Sequence, residues 1–277
     1  MPKVPKAALA RRMHQLRADI DGAYGRFQVG DPEGVHDVRV ALRRLRSMLK
    51  SFQPLLDGFD ADWLGREASW LAGELDGARD AEVLRDRLAA GARALPDDLR
   101  LGPVVRRIEM TLGEDVRCGM ERAAAALSSG RYRGLLGAID IAAQALDGQQ
   151  VRHGGLRRLA AKDLRRVRRR IQHAQQTTGE TADIVWHDAR KGAKRARYAF
   201  EVTGDARSAR RMKSIQTVLG EHHDTVVARS ALRRIAGSTA SHPDENGFTF
   251  GLLYEREAQA ARLAEVQAVR LAAKLTQ

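Results

Sequence analysis

The chain carries one pattern twice. His36-Asp37-x-Arg39-x3-Arg43-Arg44-x-Arg46 returns as His187-Asp188-x-Arg190-x3-Lys194-Arg195-x-Arg197. An α-helix turns about 100° per residue. With His36 at zero, Arg39, Arg43, Arg46 and Lys50 fall within roughly 80° of it, on one side. Val38, Leu42, Leu45 and Leu49 fall opposite, at the i, i+4, i+7, i+11 spacing of an apolar stripe. In the second copy His187, Arg190, Lys194 and Arg197 share one side with Lys191 and Tyr198, while Ala189, Ala193, Ala196 and Phe200 lie opposite. The chain is therefore built around two equivalent amphipathic helices, each with an apolar face and a cationic face headed by a histidine. A solvated surface needs charge, but not the same residue types in the same register. The repetition points to a ligand, and two such faces can converge on one polyanion.

The rest of the chain follows the same period. Ala, Leu, Arg and Glu dominate and no sustained period-2 alternation is present, so the predicted fold class is all-α. Helices are expected at about 5–27, with Leu9, Met13, Leu16 and Ile20 inward, and from His36 to Phe52, stopping before Pro54. A third spans about 60–90, with a break expected near Gly73 or Gly77. Two more run at about 103–127 and 131–146. Asp147-Gly148-Gln149-Gln150 reads as a seam between an N-terminal half, about 5–146, and a C-terminal half, about 151–275. Beyond it come a helix with Leu156, Leu159, Val167 and Ile171 inward, the His187 helix ending near Gly204, and a helix holding Ile215, Leu219, Val226 and Leu232. Gly237–Gly247 is expected to be a loop, before a last helix at about 248–274.

Charge narrows the partner. Lys and Arg number 48 against 35 Asp and Glu, a formal net charge of +13, which selects an anion: a phosphate polymer, a nucleic acid or an acidic surface. Aromatic residues are only 5% of the chain, which counts against a single-strand binder that stacks bases. A nucleic-acid backbone binder stays open as the disfavoured alternative. Cys118 is the only cysteine, which excludes an intramolecular disulfide and a cysteine-based zinc cluster and fits a reducing, cytoplasmic compartment. The start of the chain shows no apolar secretory region, and no stretch approaches the length of a membrane span, so no membrane partner is expected.

The histidines admit three readings. Neutral or charged, they can donate to phosphate oxygens. His36, His187, His222 and His223 with Asp37 or Asp224 can be read as metal ligands, although neighbours on a helix point about 100° apart. They can also bridge helices. Further cations widen the candidate site: Arg158, Lys162, Arg165 and Arg169 share one side of the helix before His187, with Arg11 and Arg12 as rough counterparts. Each half then carries a third helix, with Leu75-Asp76-Gly77-Ala78-Arg79-Asp80 in the first and Leu219-Gly220-Glu221-His222-His223-Asp224 in the second. Arg79-Asp80 and His223-Asp224 correspond, and each aspartate can pin a nearby arginine. There is no Walker-type Gly-x4-Gly-Lys-Ser/Thr sequence and no recognisable triad, so no catalytic residue, metal or cofactor is expected, and a metal-dependent phosphohydrolase stays open only as the less favoured second alternative, which metal-dependent phosphate release would revive.

These residues resemble the CHAD domain, the α-helical domain named for its histidines. The resemblance rests on the doubled His-x2-Arg-x3-(Arg/Lys)-Arg-x-Arg motif, each copy followed by a Leu-Gly-like turn and an Arg-Asp or His-Asp pair, and it covers about residues 5–275 as one domain. It implies two pseudo-symmetric helical bundles with a central basic groove or cavity that binds inorganic polyphosphate. It implies association with polyphosphate granules and with granule-associated proteins. The family's basic positions fall on His36, Arg39, Arg43, Arg44 and Arg46, then on His187, Arg190, Lys194, Arg195 and Arg197. Lys50, Lys191, His223 and the Arg158–Arg169 row join them from the helical geometry. Gly192 stands at the Ala41 position and loosens its helix by up to about 1 kcal/mol. Asp76-Gly77 makes the first Leu-Gly turn less regular. Some family members are fused to a triphosphate tunnel (CYTH) domain; its Glu-x-Glu-x-Lys strand motif is not found here, so the chain reads as the binding domain alone.

Overall fold

Period-3.6 apolar stripes build almost the whole chain. The structure, a computed structural model, describes residues 3–31, 33–152, 154–239 and 247–276. The described residues form α1 (Ala7–Gln28), α2 (Glu33–Phe52), α3 (Ala61–Arg93), α4 (Val104–Ser128), α5 (Gly130–Leu146), α6 (Gly155–Gln176), α7 (Ala182–Thr203), α8 (Ala206–Thr239) and α9 (Phe248–Ala273). The fold is all-α, as the sequence predicts.

Local chemistry explains the helix ends. Helix α2 stops at Phe52, and Pro54 sits in the short 3-10 turn Gln53–Leu55. Helix α5 starts where the Ser129 hydroxyl accepts a bond from the Tyr132 amide. Helix α7 ends at Gly204, whose φ of +73° is open to glycine at little cost. Asp205 then opens α8 by accepting from the Ser208 amide at 3.0 Å.

Two compact units share the chain. The first consists of residues 1–76, 120–169 and 191–213, and the second of 77–119, 170–190 and 214–277. The sequence repeat and the packing thus divide the chain differently, since each unit takes segments from both halves. In the first unit α1 packs on α2 and α5. Its core holds Leu9, Met13, Leu16, Ile20, Val38, Leu42, Leu45, Phe52, Leu71 and Ile139, all buried. In the second unit Leu88, Ile108, Leu112, Leu232, Ile235, Phe250 and Leu253 form the core. The buried Thr249 hydroxyl there donates to Leu99 O and accepts from Leu101 N, each at 2.9 Å, fastening α9 to the turn before α4.

At Gly34 the backbone of α2 comes close to that of α1. A Cβ at this position would lie 2.6 Å from both Ala23 O and Phe27 N, which are backbone atoms with little freedom to move. Gly34→Ala is expected to cost about 1–3 kcal/mol of stability, as overpacking does in cores. Chemical denaturation reads it as a lowered midpoint; an unchanged midpoint would mean that α2 starts elsewhere without loss.

Three expectations need correction. Helix α3 runs unbroken through Gly73 and Gly77. A helical glycine costs about 1 kcal/mol relative to alanine, and the buried row Leu64, Ala68, Leu71 and Leu75 holds the helix regardless. For the same reason the two Leu-Gly-like turns are not turns: Leu75-Asp76-Gly77 lies inside α3 and Leu219-Gly220 inside α8. The third correction is a strand pair, β1 (Lys3–Pro5) with β2 (Gln150–Arg152), antiparallel in the register Lys3 with Arg152. Three residues are too few to register as period-2 alternation. Lys6 locks the pair: its buried ammonium donates to Leu55 O, to Asp57 Oδ2 at 3.0 Å and to Gln149 Oε1 at 2.8 Å. Of the loop expected at Gly237–Gly247, residues 240–246 lie outside the described residues, while α8 continues through Gly237 to Thr239.

Candidate functional site

The first motif copy lies wholly in the first unit, on α2. Its apolar side is buried as expected, with Val38, Leu42 and Leu45 sealed and Leu49 nearly so. Its cations occupy three depths. Arg46 and Lys50 are exposed, and Arg43 and Arg44 are half-buried. Arg39 is buried, its Nη2 2.8 Å from Asp76 Oδ1 on α3. His36 is half-buried, and its Nδ1 is enclosed without a hydrogen-bond partner. Burial, and then the charge of Arg43, hold the His36 imidazole below its ordinary value, which favours the neutral ring.

The second copy, on α7, is divided by the boundary between the units, which falls between Arg190 and Lys191. In the first unit Lys191 is exposed and Lys194 half-buried. Arg195 is buried, with Nη2 2.8 Å from Asp163 Oδ1 on α6. Asp163 is only 2% exposed and also accepts from the Ser51 hydroxyl at 2.6 Å and from Arg166 at 3.1 Å. The corresponding arginine of the first copy, Arg44, approaches Asp19 on α1 at 4.0 Å. Each motif copy therefore sends its second adjacent basic residue toward an acid on the preceding helix. The repeat reaches α1 and α6 as well as α2 and α7.

The two copies meet at Tyr198. The Arg44 guanidinium lies 5.9 Å from the Tyr198 ring centroid and the Arg197 guanidinium 5.3 Å from it, both within cation–π range. Arg197 is also held by Glu201 at 2.9 Å, and Glu201 approaches Arg12 of α1 at 3.9 Å. Burial and the neighbouring Arg44 charge pull the Arg12 guanidinium below its ordinary value, against Glu201 and Asp19. Two arginines thus flank one buried aromatic ring, with Arg12 and the carboxylates of Glu201 and Asp19 nearby. Along α6 in the same unit, Arg158, Lys162, Arg165 and Arg169 are all exposed.

In the second unit His187 and His223 face each other, Nδ1 to Nδ1, at 3.1 Å. Arg190 passes over Gly220, where an added Cβ would stand 4.0 Å from its Nε. Asp224 is half-buried; burial pushes its carboxyl up, while the charges of Arg190 and Arg87 pull it down. Arg87 forks onto Glu257 at 3.0 and 2.8 Å and reaches Glu221 at 2.6 Å. His222, 1% exposed, makes an inward bond to Glu265 at 3.0 Å beside the Trp186 ring, a helix-bridging place. Among the described residues no group of three or more His, Cys, Asp and Glu side chains is placed to hold a metal ion.

The structure adds Asp19, Ser51, Asp163 and Glu201 to the residues singled out from sequence. Asp163 had a signal that went unread: it is the sole acid in an otherwise basic helix. Asp19 and Glu201 had none, because their arginine partners lie on other helices or one turn away among many alternatives.

Comparison with known proteins agrees with this frame. No described helix is long and apolar enough to cross a membrane. PptA from Streptomyces chartreusis superposes with a TM-score of 0.78 at 22% identity, over 96% of this chain and 99% of that one. The CHAD domain from the plant Ricinus communis superposes with a TM-score of 0.68 at 24% identity, over 94% of this chain and 91% of that one. At such identities these likenesses establish the fold alone. The uncharacterized proteins Rv2226 and MT2285 of Mycobacterium tuberculosis, strains H37Rv and CDC 1551, are each 36% identical over 246 residues, 85% of this chain. That stretch is 46% of their length, so the chain spans about half of the curated relatives it matches. The family model for the CHAD domain matches residues 7–233, and the chain belongs to the CHAD family.

Proposed function

We propose that the chain binds inorganic polyphosphate through its two cationic helix faces, and that it holds the polymer without turning it over. The observation that carries the reading is the gathering at Tyr198 of Arg44 from one motif copy and Arg197 from the other. Crowded cations cost stability through repulsion, and an anion supplied from outside offsets that cost. Polyphosphate presents charge and spacing but no bases. Arginine suits it, because its planar fork donates to two phosphate oxygens at once, while lysine acts as a mobile point charge.

The residues divide by depth. His36, Arg43, Arg44, Arg46 and Lys50, with Lys191, Lys194 and Arg197, contact phosphate in the first unit, and the exposed α6 row Arg158, Lys162, Arg165 and Arg169 extends that surface. His187, Arg190 and His223 offer the same chemistry in the second unit. Arg39 and Arg195, buried against Asp76 and Asp163, stand behind the site and hold its helices. The Nη2 of each is already engaged by its carboxylate partner.

The test is a titration with long-chain polyphosphate and, separately, with duplex DNA at near-physiological salt. Tight binding to polyphosphate alone supports the reading. Comparable binding to both reduces it to a general polyanion binder, and binding to neither removes it. Affinity is also expected to fall steeply with salt. If about six phosphates are neutralised, the slope of log K against log salt is about −4, by the scaling for single-stranded phosphate polymers; a slope near zero excludes counterion release as the driving force. In cells the same chemistry would draw the protein, and granule-associated proteins that contact it, to polyphosphate granules. A fluorescent fusion that stays diffuse in polyphosphate-rich cells would count against that extension.

A further inference from the structure

Glu201 stands where helix physics disfavours an acid. It lies in the last turn of α7, which ends at Thr203, and a carboxylate there meets the negative pole of the helix dipole. Its partner Arg197 precedes it by one turn, the weaker order for an ion pair at this spacing. The other motif copy obeys the rule. Glu201 falls fourteen residues after His187, and fourteen residues after His36 comes Lys50, a base in the last turn of α2. At one place in the repeat, one copy thus carries a cation and the other an anion.

Arginines of the first unit hold that carboxylate. Glu201 Oε1 accepts from Arg197 Nε at 2.9 Å, and Oε2 lies 3.9 Å from Arg12 Nη2. Burial and then the charge of Arg44 pull the Arg12 guanidinium down, and Glu201 and Asp19 oppose them. In the unliganded chain the carboxylate therefore does what a phosphate oxygen would do: it neutralises clustered cations. Its side chain is 28% exposed, so rotation about its own torsions carries it into water with the backbone unmoved.

We propose that Glu201 is an internal competitor for the phosphate site: it occupies Arg197 and Arg12 in the unliganded chain and sets the preference for long phosphate chains over short ones. The inference rests on the polyphosphate reading above and deepens it by naming the residue that selects chain length. The exchange is a side-chain rotation, and no covalent bond forms or breaks.

The selection follows from tethering. A carboxylate fixed one turn away competes at an effective concentration on the order of millimolar or higher. A short phosphate arrives as a free solute and must displace it with the few contacts it can make. A long chain is already anchored on the other cations of the site, among them Arg43 and Lys194, and presents its next phosphates at a comparable effective concentration. It can also stay bound while Glu201 remains in place. The competitor therefore weighs most heavily on the short ligand.

The experiment is calorimetric titration of the full chain with tripolyphosphate and with long-chain polyphosphate at one fixed salt concentration. Glu201→Gln keeps the shape of the side chain and an oxygen that accepts from Arg197, but removes the charge. It should gain affinity for tripolyphosphate by about fivefold or more, the upper end for one ion pair released. The gain for the long chain should be smaller, so the ratio of the two affinities falls. Glu201→Lys, which restores the charge found at Lys50, should gain further on both ligands. The control is Glu255→Gln on α9, an exposed acid engaged by Arg262, with the same change in net charge. Its gain should not exceed about twofold, because exposed charges are screened. A Glu201→Gln gain no larger than that of the control overturns the inference and leaves the polyphosphate reading standing. So does a loss of affinity, which would make Glu201 a support of Arg197, or an unchanged ratio. Binding by none of these proteins overturns both.

Discussion

Charge reversal at Arg43 and Lys194 together should weaken polyphosphate binding by about a hundredfold to ten-thousandfold. The figure follows from losing two hydrogen bonds to a charged ligand, each about 1.5–3 kcal/mol. Arg43 belongs to one motif copy and Lys194 occupies the matching place in the other, and both lie half-buried in the first unit. The control is reversal at Arg256 and Arg262, two exposed positions on α9, of which Arg262 spends its charge on Glu255 at 2.8 Å. Net charge changes equally in the two double variants, so only placement separates them. Equal losses would mean that bulk charge drives binding. A shift in the melting midpoint of either variant would be subtracted before the comparison.

The second large effect concerns the fold behind the site. Asp163→Ala is expected to cost about 3–5 kcal/mol of stability, the usual cost of breaking a buried ion pair from one side. Arg195 would keep its place in the interior without its carboxylate, and Ser51 would lose its acceptor. Replacing both partners with apolar residues of similar size, Asp163→Leu with Arg195→Met, should recover most of the loss, because neither charge then needs compensation. Urea unfolding measures both variants. A loss below about 1 kcal/mol for Asp163→Ala would show that water reaches the guanidinium. If the doubly apolar variant also binds polyphosphate normally, Arg195 is confirmed as a support of the site and excluded as a contact.

What the sequence made legible follows from what periodicity encodes. The inward stripes Val38–Leu42–Leu45–Leu49 and Ala189–Ala193–Ala196–Phe200 are buried as read, because burial on a helix repeats with its turn. The depth of each cation was not legible. Arg39 and Arg46 sit on the same predicted face, yet one is buried and the other exposed. What separates them is Asp76, a residue on another helix. Tyr198 was assigned to the cationic side from its angle, and it is in fact covered, with the arginines lying against its ring. The His187–His223 contact joins α7 to α8, and no local pattern announces it. The glycines of α3 misled because propensity is a local quantity and the packed row beside them is not.

The discontinuity of the first unit also sets the order in which the chain can fold. β1 lies at residues 3–5 and its partner β2 at 150–152, and the unit is completed only by residues 191–213. At about 5–20 residues per second of synthesis, the first strand waits roughly 7–30 s for its partner to be made. During that interval α1 can dock on α2 and later on α5, while Lys6 has no Gln149 to bind and the unit lacks residues 191–213. A nascent chain paused before residue 191 therefore holds the first unit unfinished, and Asp163 waits there for Arg195, however stable the finished protein is.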